Sequence, residues 1–170
     1  MCPFPYSQRK PLTAEKALLR ATMLCARGEH ATGEIADKLR SWGVSDNDAR
    51  DIIGQLTRER YLDDRRFARA YCRDKFRFNG WGRMKIRLML RSKSINDELI
   101  AEALDELNDD AYRDMARRVI ATKLKSQRDR DGRQLRATLA RHAASRGFEP
   151  DVFFPVIDEL LNGTACEEED

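Results

Sequence analysis

The chain has 170 residues, of which 36% are charged and 8% aromatic, and its formal net charge is +3. This length can bury a real hydrophobic core, and a composition rich in Ala, Leu, Arg and Glu favours helices over sheets. No apolar run approaches the roughly 18 residues that a membrane-spanning helix needs, so the sequence predicts a cytoplasmic protein. The four cysteines are scattered, without a C-x-x-C pair or a histidine at ligand spacing, which argues against a disulfide framework or a zinc site.

The start of the chain is rich in proline and leads into helices. The segment 1–11 holds three of the five prolines and is expected to be a flexible arm. Thr13, Thr32 and Ser45 each stand before apolar residues at helical spacing, and each is expected to cap a helix. Residues 12–62 are therefore predicted to form a first three-helix repeat.

A second, strongly basic repeat is expected over residues 63–109. Asp64 is suited to cap a basic helix, and the turn 79–82 separates this helix from a short one over 83–92. Asn96 is expected to cap a further helix, whose first turn carries acids that suit the positive end of the helix dipole.

A third repeat is expected over residues 110–162. It includes a helix over 134–145 and a last helix that Pro150 opens, since the missing N–H of proline has no partner in a first turn anyway. Residues 163–170 are acidic and are predicted to form a disordered tail.

Three short segments, 39–44, 90–95 and 143–148, align with one another at a spacing of about fifty residues. This spacing suits units of three short helices whose neighbours share hydrophobic faces. The predicted fold is all-α: a tandem array of three three-helix repeats that forms an elongated, curved molecule.

Charge is segregated along the chain. The segment 65–93 carries eleven basic residues and one acid, whereas 94–114 carries eight acids and one base. Residues 115–146 are again basic, and 147–170 are acidic. Such blocks create a strong local field despite the small total. The middle repeat is therefore expected to bind phosphate or an acidic partner.

The basic residues form two helical stripes. The candidate DNA- or filament-binding residues are Arg66, Arg69, Arg73 and Arg77 on the first helix, Trp81 in the turn, and Arg83, Lys85, Arg87 and Arg91 on the second helix. Spacings of three and four residues place each set of arginines on one face. The alternative is a solvated face that is neutralised by acids such as Asp105 and Glu106. Trp81 is suited to stack on a base or to anchor a protein, or else it covers the helix junction as a partly buried indole.

The paired acids Asp63–Asp64 and Asp109–Asp110 raise the question of metal catalysis. Each pair precedes a predicted helix, where acids complement the dipole and cap free amide groups. The chain has no phosphate-binding loop motif, no H-E-x-x-H and no nucleophile with a base. The sequence therefore predicts a protein that is not an enzyme and that uses no cofactor and no metal.

Two motifs in the middle of the chain resemble the signature of a known family. They are Tyr61-Leu62-Asp63-Asp64-x-x-Phe67-Ala68-x-x-Tyr71 and Gly80-Trp81-Gly82-x-x-x-Ile86-x-x-x-Leu90-x-x-Lys93-x-Ile95. In combination they resemble the RecX family, whose members regulate the RecA recombinase. The flanking repeats extend the resemblance over nearly the whole chain beyond the arm.

This resemblance implies a modulator that lies in the groove of the RecA–DNA filament, limits strand exchange and ATP hydrolysis, and often promotes disassembly. The expected partners are the RecA recombinase filament and single-stranded or duplex DNA, bound by a monomer that contacts no membrane. The chain departs from the family pattern in three places. Arg83 replaces a usual proline, Ser94 replaces a usual helix-ending glycine, and Leu88 and Met89 replace commonly polar residues.

A helix-turn-helix-like DNA-binding protein, such as a transcription factor, is the alternative function. The succession of short helix, turn and helix permits it, and Arg83 and Lys85 stand where a recognition helix would read bases. Cosedimentation with recombinase filaments, compared with binding to naked duplex, separates the two functions.

Overall fold

The computed structural model describes residues 11–127 and 132–165, so the expectations for 1–10 and 166–170 lie outside the described residues. Within these ranges all regular secondary structure is helical, which confirms the all-α prediction. The helices there are α1 (Ala14–Cys25), α2 (Thr32–Ser41), α3 (Asp46–Arg58), α4 (Asp64–Asn79), α5 (Arg83–Arg91), α6 (Asp97–Asp105), α7 (Asp109–Lys125), α8 (Gly132–Arg146) and α9 (Pro150–Ala165).

The described residues form two compact units. Unit 1 holds the residues up to Phe67 together with Lys93–Ile95, and unit 2 holds Ala68–Ser92 and the residues from Asn96 onward. The boundaries of the three repeats remain a prediction. Helix α9 extends to Ala165, into the segment that was expected to be a tail.

Unit 1 has its own hydrophobic core, built by α1, α2, α3 and the segment after α3. The buried side chains of this core are Ala17, Ala21, Ile35, Leu39, Val44, Ile52, Leu56 and Leu62. Gly43 has a φ of +76°, so α2 ends in the left-handed conformation that glycine favours. Ser94 has a φ of +63°. This is the left-handed conformation that a helix-ending glycine adopts more easily than serine.

Local capping explains where several helices begin. The Oγ of Ser45 accepts a hydrogen bond from the N–H of Asp48 at 3.2 Å, and the Oδ1 of Asn96 accepts one from the N–H of Leu99 at 2.8 Å, so both predicted caps are confirmed. Thr13 occupies the N-cap position of α1, but its side chain makes no capping hydrogen bond.

The predicted caps of α2 and α4 are wrong. Thr32 is the first residue of α2, Ala31 is its N-cap, and the N–H of Thr32 donates to Oδ1 of Asp64 at 2.8 Å. Asp64 therefore stabilises the start of α2 from a distant position in the sequence. At the start of α4 the carboxylate of Asp63 accepts the N–H of Arg66 at 3.0 Å instead.

Unit 2 is built around buried aliphatic and aromatic side chains. The largest fully buried ones are Tyr112, Phe148, Ile86, Leu90, Ile100, Ile120, Leu139 and Ile157. The ring of Tyr112 lies 5.9 Å from that of Phe76 and 5.3 Å from that of Phe148. The hydroxyl of Tyr112 donates to Glu149 at 2.6 Å. Burial and this hydrogen bond raise the pKa of Tyr112 far above its usual range, so the hydroxyl stays a donor.

The start of α5 is fixed against the turn between α8 and α9. The N–H of Gly82 donates to the carbonyl of Arg146 at 2.8 Å, and the N–H of Met84 donates to that of Gly147 at 3.1 Å. A Cβ at Gly82 would lie 2.2 Å from the carbonyl oxygen of Gly147, whose own φ is +89°. Only glycine permits this approach, so the Gly82–Gly147 contact sets where α5 begins.

Candidate nucleic-acid interface

The second half of α4 directs its arginines to solvent because the opposite face packs into unit 2. Ala68, Cys72 and Phe76 are buried at a spacing of four residues. The arginines at 69, 73 and 77 each follow one of these core positions and are exposed. The basic surface of this region consists of Arg73, Lys75, Arg77, Lys85 and Arg87, together with the aromatic side chains of Phe78 and Trp81.

Four of the predicted binding arginines already have a carboxylate partner. The N···O distances are 2.7 Å for Arg66–Glu29, 2.8 Å for Arg69–Glu106, 2.7 Å for Arg83–Asp109 and 2.7 Å for Arg91–Asp97. The first pair lies in unit 1 and the other three lie in unit 2. Since a paired guanidinium offers less charge to a phosphate, part of the predicted surface is neutralised from within the protein.

Arg91 and Asp97 form a two-pronged contact across the loop between α5 and α6. Nε of Arg91 donates to Oδ1 of Asp97 at 2.7 Å, and Nη2 donates to Oδ2 at 3.1 Å. These hydrogen bonds lower the pKa of Asp97, and the nearby charge of Arg87 acts in the same direction. Asp97 therefore remains an acceptor for Arg91 down into the acidic range.

Arg83 has a structural role in unit 2. Its guanidinium lies 4.2 Å from the ring centroid of Tyr112, and Nη2 donates to the carbonyl of Leu107 at 3.1 Å and to Asp109 at 2.7 Å. Only 24% of its side chain is exposed. An arginine held by three partners is poorly placed to reach a base or a phosphate.

Arg73, Arg77 and Arg87 differ from these four residues. All three are exposed, and within the described part of the chain none has a carboxylate at ion-pair distance. Their guanidinium groups are the unpaired positive charges of the basic surface. An approaching phosphate would meet them without first having to displace a protein acid.

Trp81 is half-buried, which fits the interpretation that it covers the helix junction. The ammonium groups of Lys75 and Lys85 lie 5.3 Å and 4.7 Å from its ring centroid. Such cation–π contacts hold both lysines close to the turn 79–82. The Nζ of Lys85 also donates to the carbonyl of Ser145 at 3.3 Å. Trp81 thus gathers positive charge next to the free arginines.

Phe78 is a candidate that the sequence reasoning missed. Its side chain is 82% exposed, at the end of α4 between Arg77 and the turn 79–82. The signal was present, because Phe76 completes the core spacing and a residue two positions later points away from it. An exposed aromatic ring among free cations is suited to stack on an unpaired nucleobase.

Cys72 lies on the buried face of α4. Burial raises the pKa of the nearby Cys72 thiol to about 11, so it is a protonated core side chain and not a nucleophile. Among residues 11–127 and 132–165, no group of His, Cys, Asp and Glu side chains is arranged to hold a metal ion. None of the helices in these ranges is both long enough and apolar enough to span a membrane.

Comparisons with known proteins agree on one family. Residues 63–104 match the family model described as RecX, second three-helix domain. The chain is 34% identical to the regulatory protein RecX of Prosthecochloris aestuarii, over 86% of this chain and 94% of the relative. It is 31% identical to that of Bacillus licheniformis, over 82% of this chain but only 52% of the longer relative.

A solved structure supports the same fold. The crystal structure of RecX from Lactobacillus salivarius superposes with a TM-score of 0.78, over 86% of this chain and 96% of that chain, at 22% identity. The helical architecture, the matched middle segment and the near full-length similarity lead to one conclusion: the chain belongs to the RecX family of regulatory proteins.

Proposed function

We propose that this protein regulates homologous recombination and DNA repair by binding the RecA–DNA filament and lowering its ATP hydrolysis and strand exchange. The observation that carries the proposal is the set of three unpaired arginines, Arg73, Arg77 and Arg87, beside the exposed ring of Phe78. The family supports the regulatory role, since its members carry the name regulatory protein RecX.

The DNA contact in this proposal is mainly electrostatic. Guanidinium groups of the basic surface replace counterions along the phosphate backbone, so binding falls steeply with salt and tolerates any sequence. Phe78 adds a stacking platform for bases that are not paired, which favours single strands over duplex. A filament assembled on single-stranded DNA offers both phosphates and unpaired bases.

The alternative of a helix-turn-helix reader is weaker because of what the first turn of α5 does. A recognition helix reads base edges with its N-terminal side chains. Here Arg83 is held by Asp109, Leu107 and Tyr112, while Lys85 contacts Trp81 and Ser145. These contacts disfavour base-specific reading by α5.

In this proposal the protein changes the recombinase by binding and hydrolyses nothing itself. Added to a purified recombinase on single-stranded DNA, it should lower the rate of ATP hydrolysis. The variant Arg73→Gln/Arg77→Gln/Arg87→Gln should need at least about tenfold more protein for the same inhibition, since it loses three phosphate contacts.

A matched control keeps the same net charge as this variant. Lys16→Gln/Arg27→Gln/Arg58→Gln removes three exposed charges of unit 1 and should inhibit like the wild type. If wild-type protein leaves the recombinase's rate of ATP hydrolysis unchanged, the proposed function is contradicted. An equal loss of inhibition in the two triple variants contradicts the assignment of the DNA contact to the basic surface.

A further inference from the structure

Helix α5 exposes two large apolar side chains that unit 2 does not cover. Met84 is 53% exposed and Leu88 is 66% exposed, and their spacing of four residues places them on one face. Ile86 and Leu90 on the opposite face are fully buried, so α5 has one core face and one apolar outer face. A short helix with only structural duties would carry polar residues on the outside.

The two side chains line a groove between α5 and the end of α8. The groove has a volume of about 530 Å³, and it is lined by Met84, Lys85, Arg87, Leu88, Arg91, Ala144, Ser145 and Gly147. Three of these residues are cations and none is an acid. The small residues at the end of α8 form one wall, and the cations surround the apolar centre.

The groove is also held in a fixed shape. The hydrogen bonds from Gly82 and Met84 to the carbonyls of Arg146 and Gly147 join both walls directly. A preformed groove lowers the ordering cost that a partner must meet on binding. The volume exceeds what one amino-acid side chain fills, so it suits a short segment of a protein.

Nucleic acid is a poorer occupant than protein. Leu and Met cannot stack on bases as aromatic rings do, and phosphates would leave both side chains in contact with water. Burial of exposed Leu and Met requires an apolar partner, and Met and Arg are enriched where proteins meet. Arg91 is paired with Asp97, so Lys85 and Arg87 are the groove cations that select a partner segment carrying acids.

On this basis, and resting on the proposed function above, we infer that the groove between α5 and α8 docks an acidic segment of the recombinase that inserts large apolar side chains against Met84 and Leu88. The protein then holds the filament by two neighbouring surfaces. The basic surface contacts the DNA and the groove contacts the protein component, and the two surfaces adjoin at Lys85 and Arg87, which belong to both.

A pair of double variants tests this division. Met84→Gln/Leu88→Gln removes the apolar centre without changing charge, and glutamine is a good helix former. The matched control is Leu19→Gln/Met23→Gln on α1, because Leu19 and Met23 are 64% and 50% exposed at the same spacing. Both variants and the wild type are titrated against filaments of purified recombinase on single-stranded DNA and against the same DNA alone.

The Met84→Gln/Leu88→Gln variant should lose at least about tenfold in filament affinity and stay within about twofold of wild type on naked DNA. The control should match the wild type in both titrations. Unchanged filament affinity, an equal loss on naked DNA, or an equal loss in the control overturns the inference. If the wild-type protein does not bind the filament, the proposed function is overturned, and this inference with it.

A photocrosslinking amino acid in place of Leu88 identifies the occupant directly. With purified recombinase filaments, the crosslinked peptide should come from the recombinase and contain Asp or Glu next to large apolar residues. A crosslink to DNA, to a second copy of this chain, or to the chain's own acidic C-terminal residues 167–170 would overturn the inference.

Discussion

The two halves of α4 carry the same stripe of arginines, yet they present different charges to solvent. Arg66 and Arg69 are bound by Glu29 and Glu106, whereas Arg73 has no acid at ion-pair distance among the described residues, and neither does Arg77. The spacing of the four residues is regular, so the difference comes from acids supplied by other elements. We therefore expect a basic stripe to bind phosphate only where the rest of the fold leaves it unpaired.

The sharpest test of this comparison removes one half of the stripe at a time. Arg73→Gln/Arg77→Gln should weaken binding to a single-stranded oligonucleotide by about thirtyfold, or roughly 2 kcal/mol, because two charged hydrogen bonds are lost. Arg66→Gln/Arg69→Gln removes the same charge and should lower the affinity for the oligonucleotide by less than about threefold. Fluorescence anisotropy at one fixed salt concentration measures both. Equal losses would mean that pairing does not decide which arginines bind.

For the free energy of unfolding, the order should reverse: loss of a paired arginine should have a larger effect than loss of a free one. Arg83→Ala should lower the free energy of unfolding by about 1–2 kcal/mol, since it removes the partners of Asp109 and of the Leu107 carbonyl and uncovers the Tyr112 ring. Arg77→Ala should change it by less than about 0.5 kcal/mol. Urea unfolding measures both values. An Arg83→Ala protein as stable as the wild type would contradict the structural role of Arg83.

Phe78 extends the free half of the stripe with an aromatic ring. Phe78→Ala should weaken binding to single-stranded DNA by about fivefold and leave duplex affinity within about twofold, because only unpaired bases can stack on the ring. Phe154→Ala on α9 is a suitable control, since that ring is also exposed, at 39%. An equal loss of affinity for duplex DNA would mean that Phe78 stabilises the fold or supports a phosphate contact.

The smallest expected effect comes from releasing a paired arginine. Glu106→Gln frees Arg69, and it should raise affinity for single-stranded DNA by about twofold. Both partners are about half exposed, so stability should change by less than about 0.5 kcal/mol. No gain in affinity at low salt would indicate that Arg69 lies outside the path of the DNA.

Local features of the fold were predictable from the sequence, and features that join distant segments were not. Ser45 and Asn96 cap their helices through amides only three residues away, which a sequence pattern can identify. Asp64 instead accepts the amide of Thr32, thirty-two residues earlier, and no local rule predicts this contact.

The same division between local features and contacts from distant segments applies to the candidate site. The basic stripe was predictable because helix periodicity fixes which residues share a face. The carboxylates that bind Arg66 and Arg83 stand 37 and 26 residues away, so the sequence could not show which arginines remain free. Phe78 could have been found, because the spacing of the buried residues 68, 72 and 76 already directs position 78 outward.

We propose that this protein acts on the recombinase–DNA filament rather than on DNA alone. The most direct measurement is cosedimentation of wild-type protein with filaments on single-stranded DNA, beside the same experiment with naked duplex, over a series of salt concentrations. We expect the protein to be retained on filaments at salt concentrations where binding to duplex is already lost. Equal or stronger retention on naked duplex, or none on the filaments, would contradict it.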